Sequence, residues 1–339
     1  MSEIENIAKQ IVAKGKGILA ADESTGTMGK RLSSVSVEST PENRLRFRET
    51  LFSAEGMKNH IGGVILYDET IKQKTSSGKS IPDLIKSFGS IPGIKVDTGA
   101  KKLAGSPEEK ITEGLDGLRE RLIDYYKLGA RFTKWRAVYN ISDNCPSELA
   151  IKSNAHALAR YAALVQEAKM VPIIEPEVLM DGSHGIAKCY EVTSAVLKEC
   201  YKELKLHKVN HKGTILKPNM ILPGNKAKDK SNTQEIAKMT LKCLKENVPN
   251  EVPGIAFLSG GQTEIEATQN LNEINKINDT NFLMSFSYGR ALQQSALKSW
   301  AKNIKDVNNT QKIFNHRSKM NGLSTSAQWS MDLEKQLTA

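Results

Sequence analysis

Gly213-Thr-Ile-Leu-Lys-Pro-Asn-Met220 reads as a short buried strand that ends in a charge. Thr214, Ile215 and Leu216 are β-branched or apolar, and Gly213 punctuates the chain before them. Pro218 stops the ladder from continuing past Lys217. Taken alone, a lysine at a strand terminus is a side chain whose stem packs and whose head reaches solvent. Two earlier runs change that reading, because Arg131-Phe-Thr-Lys-Trp-Arg136 and Val171-Pro-Ile-Ile-Glu-Pro-Glu-Val178 also end in charge.

Further out from this stretch, apolar runs of strand length recur at 17–22, 62–67, 93–97, 131–136, 171–177, 213–217, 254–259 and 282–287. Segments of helical period and good helix formers lie between most of them, at 42–54, 115–128, 147–169, 193–206, 233–246, 263–277 and 290–302. Strand followed by helix, repeated in this way, predicts a parallel sheet with right-handed crossovers. Eight repeats close most simply into an α/β fold of the (β/α)8, or TIM-barrel, type. An open doubly wound sheet is the alternative, but it would want G-x-G-x-x-G after the first run, where Ala20-Ala-Asp-Glu-Ser-Thr-Gly26 stands instead. No Pro-, Gly- or Ser-rich linker divides the chain, so residues 1–339 are expected to form one domain. A polar, mobile loop is expected over 72–86. From about residue 303 a terminal helix and a polar tail are expected, anchored by Phe314 and Trp329.

Composition narrows the classes. No apolar run approaches the roughly 18 residues of a membrane span. The N-terminus reads as a capped helix rather than a signal peptide, with Ser2-x-x-Glu5 followed by Ile4, Ile7, Ala8, Ile11 and Val12 at helical spacing. Cys145, Cys189, Cys200 and Cys243 lie far apart, which suggests free thiols and a cytoplasmic protein. The net charge of +10 fits either a polyanion binder or an enzyme for anionic metabolites. Basic residues are spread along the chain without a run interleaved with aromatics, so nucleic acid is not the expected partner.

In a (β/α)8 barrel the C-terminal strand ends form the active-site face. Residues two apart on a strand share a face, so Lys134 with Arg136, Glu175 with Glu177, and Lys95 with Asp97 each point together. With Asp22, Lys217 and Ser259 at their own strand ends, these charges converge on one site. If sequential strands are neighbours, Lys134, Glu175 and Lys217 lie side by side at about 4.8 Å spacing. A lysine attacks a carbonyl only when neutral, which asks for a pKa about 3 units below 10.4, or about 4 kcal/mol. A like charge at roughly 7 Å supplies about 2.4 kcal/mol at an effective dielectric of 20, and desolvation covers the rest. Lys217 is therefore the candidate Schiff-base amine, with Lys134 and Arg136 depressing its pKa and Glu175 moving protons. The bland alternative is a buried Lys–Glu ion pair without chemistry.

Two loops look suited to phosphate. Ser259-Gly-Gly-Gln262 follows the seventh run and Ser287-Tyr-Gly-Arg290 the eighth, and each opens a helix. Glycines let backbone N–H groups approach an anion, the helix N-terminus adds positive potential, and Arg290 offers a fork of donors. Lys95, Arg136 and Arg31 could meet a second anionic group, which points to a bisphosphate.

The motifs Lys16-Gly-Ile-Leu-Ala-Ala-Asp-Glu-Ser-Thr-Gly26, Lys134-Trp-Arg136, Pro172-Ile-Ile-Glu-Pro-Glu177, Leu216-Lys-Pro-Asn-Met220, Leu258-Ser-Gly-Gly-Gln262 and Ser285-Phe-Ser-Tyr-Gly-Arg-Ala-Leu292 resemble those of class I, Schiff-base fructose-1,6-bisphosphate aldolases, from about residue 5 to 320. The resemblance implies a Schiff base on Lys217, with Glu175 as acid and base for the carbinolamine. It implies that Asp22 takes the C4 hydroxyl proton, with Glu177 and Lys134 supporting charge. It gives one phosphate to Ser259, Gly260, Gly261, Ser287, Gly289 and Arg290, and the other to Arg31, Ser24, Thr27, Lys95 and Arg136. A glycolytic role, a homotetramer, no cofactor and no metal come with it, as do acidic or cytoskeletal partners. One departure is the chain's end, Gln336-Leu-Thr-Ala339, where the family carries a tyrosine that handles enamine protonation; that step is expected to be slow or to use another donor.

Three other readings stand beside this one. A metal-dependent aldolase or hydrolase would need clustered ligands, whereas His60, His156, His184, His207, His211 and His316 look scattered in sequence. A transaldolase-like barrel would need only one phosphate site. A non-catalytic basic scaffold would leave the charged strand ends unexplained.

Overall fold

The computed structural model describes residues 2–336. Eight strands close a parallel barrel: β1 (Gly17–Ala21), β2 (Ile61–Leu66), β3 (Ile91–Lys95), then, after the hairpin β4 (Gly99–Leu103) and β5 (Ser106–Glu113), β6 (Phe132–Tyr139), β7 (Val171–Val178), β8 (Ile215–Leu216), β9 (Gly254–Phe257) and β10 (Leu283–Tyr288). Their order around the barrel is β1-β10-β9-β8-β7-β6-β3-β2. The expected (β/α)8 barrel is thus the observed one, and β6, β7 and β8 are consecutive staves. All eight residues of β7 are buried, because one face fills the barrel and the other meets the surrounding helices.

The helix Glu3–Ile11 stops the barrel at the end where the strands begin. Ser2 and Glu5 form the expected capping box. Ile7, Ile11 and Val12 enter an apolar cluster with Ile18, Ile65, Phe132, Ile173 and Ile215. Space for this plug comes from glycine at the strand starts: a Cβ on Gly62 would lie 2.1 Å from the Ile11 carbonyl oxygen, and one on Gly254 2.3 Å from Val12 Cγ2. A closed lower end leaves the opposite end of the barrel as the open face.

Some local expectations are corrected. The 72–86 loop is pinned rather than slack, with Thr75 N–H donating to the Lys79 carbonyl at 2.8 Å and Ile81–Ser87 forming a helix capped by Ser80. The β4–β5 hairpin and the helix Thr25–Ser33 occupy stretches without a predicted element. The strand assigned to 213–217 contracts to Ile215–Leu216, preceded by a 3-10 turn, although Lys217 N–H still donates to the Ile174 carbonyl at 2.8 Å. Beyond residue 303 the chain forms the helices Val307–Ser324 and Met331–Lys335, with Phe314 and Trp329 buried. The last three residues of the expected tail, and so the chain end that stands where the family carries a tyrosine, lie outside the described residues. Among those residues no helix is long and apolar enough to cross a membrane, and all four cysteines are buried free thiols.

Candidate active site

The open end of the barrel holds a cavity of about 490 Å³ whose lining takes in every site residue expected from the sequence. At its floor four charged side chains form a continuous chain. Lys217 Nζ lies 3.0 Å from Glu175 Oε1, Lys134 Nζ lies 3.3 Å from Glu175 Oε2, and the same Nζ lies 2.7 Å from Asp22 Oδ2. Lys134, Glu175 and Lys217 are each at most 4% exposed. Parallel register explains the convergence: Arg136 stands opposite Glu175 and Val138 opposite Glu177, while Leu216 stands opposite Ile174. Lys217, one residue past Leu216, is thereby level with Glu175.

Opposite charges decide the protonation of this chain. Burial pushes the Asp22 carboxyl up, but Lys134 and then Lys217 outweigh it and hold the group far below the usual carboxylate range. Burial likewise raises Glu175, and Lys134, Lys217 and Arg136 bring it below its ordinary value. For Lys134, burial works against the ammonium, yet Asp22 and Glu175 drive its pKa well above normal. The geometry also revises the expected electrostatics. Lys134 and Arg136 do not face Lys217 as bare cations, because Glu175 sits between the two ammonium groups and Arg136 is ion-paired with Glu177.

One wall of the cavity carries the β3 and β6 cations. Lys95 Nζ donates to Asp97 Oδ1 at 2.6 Å and to the Asp97 carbonyl at 2.8 Å. Asp97 Oδ2 in turn accepts from the Arg136 backbone N–H at 3.3 Å, locking the two strand ends together. Ser24 caps the helix Thr25–Ser33 by accepting from Thr27 N–H at 3.3 Å. Ser24, Thr27 and Arg31 recur at helical spacing, so they share the helix face turned to the cavity.

The facing wall is made of the two glycine loops. Gly260 and Gly261 have φ of +52° and +87°, a backbone shape that favours glycine and that turns the loop after β9 back on itself, Gln262 N–H donating to the Ser259 carbonyl at 3.0 Å. Gly289 precedes the helix Arg290–Lys302. Ser287 Oγ is buried and, among the described residues, has no hydrogen-bond partner. A buried hydroxyl without a partner is costly unless a ligand oxygen completes it.

Two supporting residues escape sequence reasoning. Glu23 is buried beneath Asp22, ion-paired with Arg31 and Arg48, and its Oε1 accepts from Gln293 Nε2 at 3.0 Å. Arg48 Nη2 also donates to the Glu23 carbonyl at 2.8 Å, so this knot fixes the loop that carries Asp22. Asn219 accepts from Val178 N–H at 3.0 Å and donates to Thr193 Oγ1 at 3.1 Å, bracing the turn after Lys217 against β7. Among the described residues no histidine lines the cavity. The histidines are less scattered than their sequence positions suggest, however, since His156 and His207 meet outside the barrel wall with ring centroids 5.0 Å apart.

Comparison with known proteins bears on this geometry. A family model described as fructose-bisphosphate aldolase class-I matches residues 3–339. The probable fructose-bisphosphate aldolase class 1 of Xylella fastidiosa (strain 9a5c) is 49% identical over 330 residues, covering 97% of this chain and 99% of that protein. The cytosolic fructose-bisphosphate aldolase 4 of Arabidopsis thaliana is 53% identical over 319 residues, covering 94% and 81%. Among solved structures, the Plasmodium falciparum fructose-bisphosphate aldolase, in a complex with TRAP and a small-molecule inhibitor, superposes with a TM-score of 0.95 at 43% identity, covering 97% of this chain and 95% of that one.

Proposed function

The chain belongs to the class-I fructose-bisphosphate aldolase family, and on that footing we propose that its cavity cleaves fructose 1,6-bisphosphate reversibly, through a Schiff base on Lys217, to dihydroxyacetone phosphate and glyceraldehyde 3-phosphate. The observation that carries this reading is the Lys217–Glu175–Lys134–Asp22 chain, with contacts of 3.0, 3.3 and 2.7 Å. Lys217 hands a proton to Glu175 across the 3.0 Å contact and attacks the ketose C2 carbonyl as a neutral amine. Glu175 returns that proton to the C2 oxygen to give the carbinolamine, then carries a second proton from the nitrogen to the C2 hydroxyl, which leaves as water, and the iminium remains. Asp22 then takes the C4 hydroxyl proton as the C3–C4 bond breaks. The bonding pair passes into the iminium to give an enamine, and glyceraldehyde 3-phosphate departs. Protonation of the enamine at carbon and hydrolysis of the resulting iminium free dihydroxyacetone phosphate and restore Lys217. Lys134 stays charged throughout and keeps Asp22 ionised until Asp22 takes the C4 hydroxyl proton, while Glu177 holds Arg136.

Ser259, Gly260, Gly261, Ser287, Gly289 and Arg290 take one phosphate, supported by the partnerless Ser287 hydroxyl and the glycine turn. Ser24, Thr27, Lys95 and Arg136 take the other, and Arg31, the fifth residue expected there, stands beside the first, since its Nη2 would lie only 3.4 Å from a Cβ on Gly289. We also read the chain as one cytoplasmic barrel domain that assembles as a homotetramer and whose net charge of +10 suits acidic or cytoskeletal partners.

Steady-state cleavage of fructose 1,6-bisphosphate and fructose 1-phosphate, with and without a chelator, tests the reading. It predicts activity indifferent to the chelator and a kcat/KM higher for the bisphosphate by about 10-fold or more, one charge-assisted contact being worth roughly that much. Activity abolished by the chelator, or no preference for two phosphates, would overturn it.

A further inference from the structure

Away from the barrel interior, the helices Glu148–Glu167 and Ile186–Leu206 run side by side and bring together three side chains that the aldol chemistry does not use. His156 projects from the first; Glu203, with His207 one turn on at the C-cap, projects from the second. We propose that His156, Glu203 and His207 form a surface site for a divalent transition cation of the Zn²⁺ class.

The donor set suits such an ion. One ligand atom from each residue lies within 4.8 Å of the others. Zinc bonds of about 2.0–2.2 Å in tetrahedral geometry put donors roughly 3.3–3.5 Å apart. Here His156 Nδ1 lies 3.1 Å from Glu203 Oε2. His207 Nδ1 lies 2.9 Å from the Glu203 carbonyl oxygen. Donation there places the ring proton on Nδ1 and the lone pair on Nε2, and a backbone carbonyl orienting a ligating imidazole in this manner is a usual metal-site arrangement. Glu203 and His207, four apart, share one helix face, and His156 reaches them from the neighbouring helix.

The nearby lysines are already engaged, Lys152 with Glu148 and Lys202 with Glu199, so they do not occupy the Glu203 carboxylate. His156 is half-exposed, which leaves a path for the ion and room for water as the fourth ligand. Bound there, a cation would tie together the helices that follow β6 and β7, the strands carrying Lys134 and Glu175. The site is separate from the aldol cavity, so its test does not depend on the proposed reaction.

Titration of the full chain with Zn²⁺ in a phosphate-free buffer, read by calorimetry, is the direct measurement, with Co²⁺ as a spectroscopic substitute. The expected result is one ion per chain, visible Co²⁺ absorption, and a Zn²⁺-dependent rise in melting temperature. His156→Gln and Glu203→Gln should each weaken binding by at least about 10-fold and abolish the rise, while His211→Gln leaves both unchanged. Circular dichroism and the melting temperature without metal verify that each variant is folded. The wild-type chain binding no Zn²⁺, or both His156→Gln and Glu203→Gln binding it as tightly as wild type, would overturn the proposal.

Discussion

Replacing Lys134 by methionine removes the cation that joins the two halves of the charged chain. Its Nζ stands 2.7 Å from Asp22 and 3.3 Å from Glu175, and its side chain is almost wholly buried. At an effective dielectric of 20, these separations correspond to about 6 and about 5 kcal/mol of attraction. Water entering the open cavity and the remaining Lys217 offset part of the loss. If half of the larger figure survives, Asp22 gains about 3 kcal/mol of bias toward its neutral form, which is about 2 pKa units. Asp22 then rises from far below the carboxylate range toward its ordinary value of 3.8. Lys134→Met should therefore shift the acid limb of the kcat/KM profile upward by about 2 pH units. It should lower kcat by about 10²–10⁴-fold, the usual contribution of a positioned proton-transfer group. Removing one member of a buried ion pair also costs about 3–5 kcal/mol of stability, so the urea midpoint should fall in parallel. The Lys217–Glu175 contact survives, and substrate should still be trapped on the enzyme by borohydride. An acid limb that stays where it was, with kcat reduced, would refute the assignment of Lys134 as the group that keeps Asp22 ionised.

Three further outcomes follow from other parts of the structure. Arg290→Gln removes a guanidinium fork from the mouth of the β10 loop, and KM for the bisphosphate should rise by about 10–100-fold, a charge-assisted contact being worth about 1.5–3 kcal/mol; an unchanged KM would place the phosphate elsewhere. Gly62→Ala pushes a methyl group to within 2.1 Å of the Ile11 carbonyl oxygen, where backbone has to move. The urea midpoint should fall by the equivalent of about 1–3 kcal/mol, while kcat per folded enzyme stays within about two-fold, because the plug is remote from the open face. Asp22 and Glu175 both have folded pKa values below their ordinary 3.8 and 4.5. A depressed folded value means that their stabilisation is present above those ordinary values and is lost as pH falls through the folded ones. Denaturant midpoints should thus decline from about pH 5 downward, and Asp22→Asn should flatten that decline.

Much of the barrel can be read directly from the chain, because its buried strands are apolar runs and β1, β3, β6, β7 and β8 carry a charge at or near their ends, where it has few structural excuses. The register that sets Glu175 level with Lys217 is equally legible, since β7 and β8 are sequential and parallel. The β4–β5 hairpin is not, because Gly99-Ala-Lys-Lys-Leu103 is exposed on most of its length and shows no alternation. The helix Thr25–Ser33 contains two glycines and two threonines and owes its existence to the Ser24 cap and the docking of Met28 and Leu32. A missed signal did exist in the loop after β2, where Ser80-Ile-Pro-Asp83 has the form of a helix start with serine capping and proline in the first turn. Glu23 was hidden for a different reason. Its partners Arg31, Arg48 and Gln293 come from three separate helices, and nothing in its immediate neighbours distinguishes it from Asp22. The His156–His207 meeting was hidden in the same way, by sequence distance.

The most direct measurement of the central claim is borohydride reduction of the protein mixed with fructose 1,6-bisphosphate, followed by peptide mapping. The account predicts one reduced sugar adduct per chain, on the peptide that contains Lys217, and none in Lys217→Met. Adduct on Lys134 or on a surface lysine, or full turnover by Lys217→Met, would contradict it.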